Sequence, residues 1–247
     1  MKPVDAHCHL DFDQFDEDRK EVISRAKEKL EFVVNAGSNI SHNKATLELS
    51  EKYSGFVLTA LGLHPCYTDN FDDLEEIKDQ IKKHDPVAVG EIGLDHHHVK
   101  EDEIREKQEE VFRELLELAE ELQKPVVVHS RDAEKKAVEI IKEYSLPEVM
   151  LHCFNGTPEL AKDAAEAGMT VGVTTQVLYS TRVENIVKIL DIDQIMLETD
   201  SPYLYRGDRN EPANVTESAE KISELKSVGY EEVVQKTSLN AERIFGF

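Results

Sequence analysis

Pro125-Val126-Val127-Val128-His129-Ser130-Arg131 is an apolar, β-branched run that ends on an imidazole and is followed by a guanidinium. It reads as a buried strand. Residues 104–122, just before it, carry Val111, Leu115, Leu118 and Leu122 at spacings of three and four, the stripe of an amphipathic helix. Residues 133–144, just after it, read as helical as well. The same alternation runs along the whole chain. Strands are expected at residues 3–6, 31–36, 56–63, 86–90, 125–128, 148–151, 169–173 and 194–197, with further helices at 18–30 and 74–83. Repeated units of this kind build a parallel sheet.

Eight units favour a closed (β/α)8 barrel of the TIM type over an open doubly wound sheet. No G-x-G-x-x-G or P-loop sequence occurs to support the open form. Residues 215–228 and 230–245 read as two C-terminal helices that close the barrel, and no Pro/Gly/Ser-rich linker sets them apart, so residues 1–247 are expected to form a single domain.

Composition narrows the function. With 40% hydrophobic and 32% charged residues, the chain can bury a core and is too apolar for disorder. No stretch approaches the roughly 18 apolar residues of a membrane span, and Met1-Lys2-Pro3-Val4-Asp5 meets charge before any signal-type run forms. A cytoplasmic location is expected. Cys8, Cys66 and Cys153 contain no C-x-x-C pair, so neither a disulfide framework nor a zinc ribbon is indicated. A net charge of −22 opposes long-range capture of a polyanion, and any nucleic-acid contact must be local.

The chemistry gathers where the strands end. His7, His9, Glu91, His129, His152 and Asp200 all stand at or just past the C-terminal ends of expected strands. In a barrel those ends converge on one face, where active sites lie. His7 and His9, two apart on extended backbone, point to the same side; alone, such a pair is as readily a hydrogen-bonded rim feature. Glu91 closes the apolar run Val87-Ala88-Val89-Gly90, where a carboxylate is costly unless paired or bound to a cation. Asp200 ends Ile195-Met196-Leu197-Glu198-Thr199-Asp200 and is placed either to bind metal and take a proton from water or to cap the turn at Ser201-Pro202. Four histidines and two carboxylates match a site for two divalent ions that activates a water between them, with Glu91 and Asp200 as the catalytic carboxylates. Histidine-carboxylate donors accept zinc, manganese, iron or magnesium.

These residues carry a resemblance. Asp5-Ala6-His7-Cys8-His9-Leu10-Asp11, Gly62-Leu63-His64-Pro65, Gly90-Glu91-Ile92-Gly93-Leu94-Asp95, His152-Cys153-Phe154-Asn155-Gly156, Glu198-Thr199-Asp200-Ser201-Pro202 and Arg209-Asn210-Glu211-Pro212 resemble successive motifs of the TatD family of metal-dependent nucleases, in the family's order and over nearly the whole chain. The resemblance implies that His7, His9 and Asp200 hold one metal, that Glu91 bridges, and that His129 and His152 hold the second. It makes His64 a residue that touches substrate or supports the ligands, not a primary ligand. Asn155 stands where the family more often has serine, and His96-His97-His98 occupies a loop where aromatic residues are common. Asn155, Arg131 and Arg209 are further candidates for substrate contact, the guanidinium forks matching phosphate.

The expected activity is hydrolysis of phosphodiester bonds in DNA, the word DNA coming from the resemblance. Two other readings share the site: removal of a D-amino acid from tRNA or another ester or amide hydrolysis, and a metal- or nucleic-acid-binding protein without turnover. The complete donor set disfavours the last. No obligate protein partner is indicated.

Overall fold

Valine-rich runs become parallel strands in the computed structural model, which describes residues 1–246. The strands are β1 (Asp5–Cys8), β2 (Val33–Ala36), β3 (Val57–Leu61), β4 (Ala88–Asp95), β5 (Val126–Arg131), β6 (Val149–Leu151), β7 (Thr170–Val173) and β8 (Ile195–Leu197), paired in sequence order. Past the end of β8 the chain returns to β1: His7 O accepts from Asp200 N at 2.9 Å, and His9 N donates to Ser201 O at 2.8 Å. The sheet is thus a nearly closed (β/α)8 barrel.

The helices are α1 (Arg19–Lys29), α2 (Ile40–Lys52), α3 (Leu74–His84), α4 (Asp102–Leu122), α5 (Glu134–Ile141), α6 (Pro158–Glu166), α7 (Thr181–Ile189), α8 (Val215–Lys226) and α9 (Tyr230–Phe245). Asn39, Thr157 and Ser180 cap α2, α6 and α7 by accepting backbone N–H groups of the first turn. No helix among the described residues is long and apolar enough to cross a membrane.

One apolar layer lies between strands and helices, where Val111, Leu115 and Leu118 of α4 are buried as their periodicity required. A second cluster joins Ala6, Val34, Ala60, Ala88, Val127, Met150 and Met196 from the strands with Ala241, Ile244 and Phe245 of α9. Helix α9 therefore stoppers the barrel, and Asn240 Nδ2 ties it down by donating to Ile192 O and Ile195 O.

Three strands run further than their sequence implied. β1 continues to Cys8, β4 to Asp95 and β5 to Arg131. Two of them also carry an extra residue. Between Asp5 and Cys8 three steps of β1 oppose two of β2, and between Val89 and Ile92 three steps of β4 oppose two of β5. A one-residue bulge reverses the side to which later side chains point. His7 and Glu91 lie inside these bulged stretches, not beyond strand ends.

Candidate active site

Strand periodicity explains most of the site. Val127 and Met150 face the barrel interior, so His129 and His152, two residues later, face the same way. Met196 likewise sets Glu198, whereas Asp200, past the end of β8 and with a φ of 57°, is placed by its N–H bond to His7 O. Ala6 and Ala88 also point inward, and strict alternation would send His7 and Glu91 outward into the helix layer; the bulges turn them in. His9, Glu91, His129, His152 and Asp200 line a cavity of about 530 Å³. His7 is fully buried and stacks on His152 with ring centroids 3.6 Å apart.

Glu91 stands between two sets of imidazoles. Its Oε2 faces His7 Nε2 at 3.4 Å and His9 Nε2 at 3.7 Å. Its Oε1 faces His129 Nδ1 at 2.9 Å, His64 Nε2 at 3.5 Å and His152 Nε2 at 3.8 Å. Asp200 Oδ1 lies 3.4 Å from His9 Nε2, 3.6 Å from His152 Nε2 and 3.8 Å from His7 Nε2. Neighbouring ligands about 2.0–2.1 Å from one ion in a tetrahedral shell stand about 3.3 Å apart, so these separations fit divalent cations.

The outward nitrogens are held as a ligand set requires. His9 Nδ1 donates to Ala36 O at 3.0 Å and His152 Nδ1 to Glu198 Oε2 at 2.7 Å, which leaves Nε2 of each as a lone-pair donor toward the cavity. His129 is turned the other way: Nε2 donates to Asp95 Oδ2 at 3.0 Å and Nδ1 faces Glu91. His64 differs from all of them. Its Nδ1 accepts from Cys66 N at 3.1 Å, so the neutral ring carries its proton on Nε2 and presents a donor.

Electrostatics favour positive charge here. Burial pushes the Glu91 carboxyl up, yet His64, His7 and His152 together with the His129 contact hold it well below the usual range. Asp200 is lowered in the same way, burial being outweighed by His152 and His9. Burial works against charging His152 and His129, but Glu198 and Asp200 carry the first up to about 10, and Asp95 and Glu91 carry the second up to about 9. For His64 burial wins, and it falls to about 3. A cluster that retains its carboxylates as anions and draws protons onto imidazoles is one that divalent cations would neutralise.

The expected substrate contacts divide. His64, Arg131 and Asn155 line the cavity. Arg209 does not. Its guanidinium forks onto Asp18 at 2.6 and 2.7 Å, donates to Gln14 O and lies over the Phe15 ring. It staples the loop after β8 to the start of α1 and stands outside the cavity lining, where the sequence leads us to expect a phosphate contact. Sequence reasoning also missed the roles of Asp95 and Glu198, fully buried carboxylates that orient His129 and His152. Their signal was present, since each ends an apolar strand where an unpaired carboxylate would be costly. The aromatic wall of Phe12, Tyr67 and Tyr203 was missed too, Phe12 stacking on His9 at 4.5 Å between centroids.

A nearly closed barrel whose mouth gathers imidazoles around a shared carboxylate is the architecture of metal-dependent hydrolases. Comparison with known proteins assigns the family: a model described as TatD related DNase matches residues 4–246, and the chain belongs to that family. It is 38% identical to an uncharacterized metal-dependent hydrolase of Methanocaldococcus jannaschii, across 99% of this chain and 97% of that one. It is 34% identical to the deoxyribonuclease TATDN3 of Homo sapiens, across 98% and 94% of the two chains. The crystal structure of a TatD homologue from Escherichia coli superimposes with a TM-score of 0.91 at 28% identity, covering 99% of this chain and 98% of the other.

Proposed function

We propose that this hydrolase is a single-domain cytoplasmic deoxyribonuclease that cleaves phosphodiester bonds near accessible strand ends. His7, His9 and Asp200 would hold one divalent cation, His129 and His152 a second, and Glu91 would bridge them. The observation that carries this reading is the division of Glu91, one oxygen toward the His7 and His9 pair and the other toward His129 and His152. The relationship to a named deoxyribonuclease supports DNA as substrate. Cys8, Cys66 and Cys153 are all unpaired, in keeping with a reducing compartment.

Bound in pairs, divalent cations polarise a phosphoryl oxygen and lower the pKa of water. Around that chemistry the chain's own groups have separate tasks. Asp200 accepts the proton of the attacking water. Arg131, at the cavity wall, offers a planar fork to phosphate oxygens. His64 lines the cavity with its Nε2 3.3 Å from His129 Nδ1 and 3.5 Å from Glu91 Oε1, where its ring borders both substrate and the proposed ligands, and Asn155, held by Gln176 at 3.1 Å, lines the same cavity. Zinc, manganese, iron and magnesium are all compatible with such donors.

The test is a panel of single-stranded DNA, duplex DNA, RNA, D-aminoacyl-tRNA and small phosphoesters, offered to metal-stripped protein reloaded with each metal in turn. Metal-dependent release of nucleotides from DNA supports the reading. Hydrolysis of the aminoacyl ester with DNA left intact overturns it.

A further inference from the structure

Cys66, Asp95 and His98 form a second group of donors in the same cavity wall, outside the six residues above. Cys66 Sγ lies 3.7 Å from His98 Nδ1, His98 Nδ1 lies 2.9 Å from Asp95 Oδ2, and the three donor atoms all fall within 4.8 Å of one another. Sulfur at about 2.3 Å and nitrogen at about 2.0 Å from one zinc ion stand about 3.5 Å apart, so the spacing matches a single coordination shell.

The group is also built rather than incidental. Asp95 is fully buried, and its Oδ1 accepts the backbone N–H groups of His97 at 2.9 Å and His98 at 2.7 Å, which fixes the loop that carries His98. Buried Gln108, reaching in from α4, donates both to Pro65 O at 2.9 Å and to Asp95 O at 3.2 Å. That one amide clamps the residue before Cys66 to the end of β4. Cys66, Asp95 and His98 all line the cavity, so a fourth position is open on that side.

We infer that Cys66, Asp95 and His98 bind a further, thiophilic divalent cation, zinc or a zinc-like ion, beside the two proposed above. A thiolate with an imidazole selects zinc or cobalt over magnesium, which the oxygen and nitrogen donors around Glu91 do not. On binding, Cys66 releases its thiol proton to solvent and His98 carries its proton on Nε2 in place of Nδ1. Because Asp95 Oδ2 also accepts from His129 Nε2 at 3.0 Å, the ion would be linked through this carboxylate and the His129 ring to the second proposed metal. This gives His98, the last of the three consecutive histidines, a task beyond a solvated loop.

The experiment reads metal directly and does not depend on which substrate the enzyme cleaves. Metal-stripped protein is titrated with Co²⁺ while thiolate-to-cobalt charge-transfer absorption and cobalt content are followed. The wild type should develop the band. Cys66→Ser should lose the band and one equivalent of cobalt while retaining the rest, and Cys153→Ser should keep the band. His98→Ala should weaken band formation by about 10-fold or more. No band at saturating cobalt overturns the inference, as does a band kept by Cys66→Ser or lost in Cys153→Ser alone. Should Cys66→Ser bind no cobalt at all for want of a fold, His98→Ala decides, and an unchanged affinity there overturns the site.

Discussion

Glu91 is 2% exposed and has imidazoles on both sides, so its removal leaves donors facing one another with nothing between them. Glu91→Ala is expected to abolish hydrolysis while circular dichroism and thermal unfolding show the barrel intact, because the side chain lies in the mouth and not in the α9-side core. Normal activity with normal metal content would sink the bridging role. Glu198 acts at one remove: it holds His152 Nδ1 at 2.7 Å and accepts Cys153 N at 2.6 Å. Glu198→Gln should lower metal affinity by about 10–100-fold, read by chelator competition, with little change in the far-ultraviolet spectrum. The sequence placed all six proposed ligands at strand ends and carried a signal for Asp95 and Glu198 as costly carboxylates, but not which histidine each would hold, since a carboxylate's partner across the barrel is not encoded in local spacing.

At the scale of elements, the bulges in β1 and β4 aim His7 and Glu91. Gly93 supports the second one. Its φ is 143°, and a Cβ there would collide with the His129 carbonyl oxygen on β5. Gly93→Ala therefore has to distort either β4 or β5, at a cost of about 1–3 kcal/mol. For a chain of this size that lowers Tm by about 2–4 °C per kcal/mol, measured by calorimetry, and metal retention should fall with it because Glu91 and His129 sit on the two affected strands. An unchanged Tm would show that the strand pair absorbs the methyl group. The alternation of strand and helix was legible because periods of two and 3.6 are local. The extra residue in each bulge was not, and this is why strands expected to stop at residues 6 and 90 continue through the site.

For the whole molecule, two charge effects are open to measurement. In the metal-free protein Glu91 and Asp200 titrate below their ordinary values, so their contribution to stability is complete above about pH 4.5 and fades as pH falls. His129 and His152 titrate above theirs, at about 9 and 10, so their contribution is complete below about pH 6.5 and fades as pH rises through those values. His64, lowered by burial to about 3, stays neutral in the folded state and costs stability as pH falls below about 6.5, so stripped protein should be most stable near pH 6.5, and metal loading should move the optimum upward, because cations replace the imidazole protons. Tm against pH for stripped and reloaded samples tests this; coincident curves would refute it. The second effect follows from the net charge of −22, which repels a polyanion at long range. Substrate must be engaged inside the cavity, so Arg131→Ala should weaken engagement far more than replacing lysines on outer helices. Modest salt should speed cleavage of end-accessible single strands by screening repulsion, and closed circular duplex should be a poor substrate. Equal rates on both substrates with a steep loss in salt would point instead to a basic surface.

Local pattern was enough to determine the barrel, because eight apolar strands separated by amphipathic helices have few other ways to bury their faces. It was enough, too, to single out the polar residues at the strand ends. Which of those residues meet was settled only by tertiary structure. Arg209, read as a phosphate contact from its place after β8, is taken by Asp18, which is distant in sequence and adjacent in space. Cys66 and His98, on separate loops and unrelated by any spacing, are brought together by Asp95 and the clamp of Gln108. The physical reason is the same in each case: periodicity reports which face a residue occupies, while register, bulges and loop packing decide its neighbours.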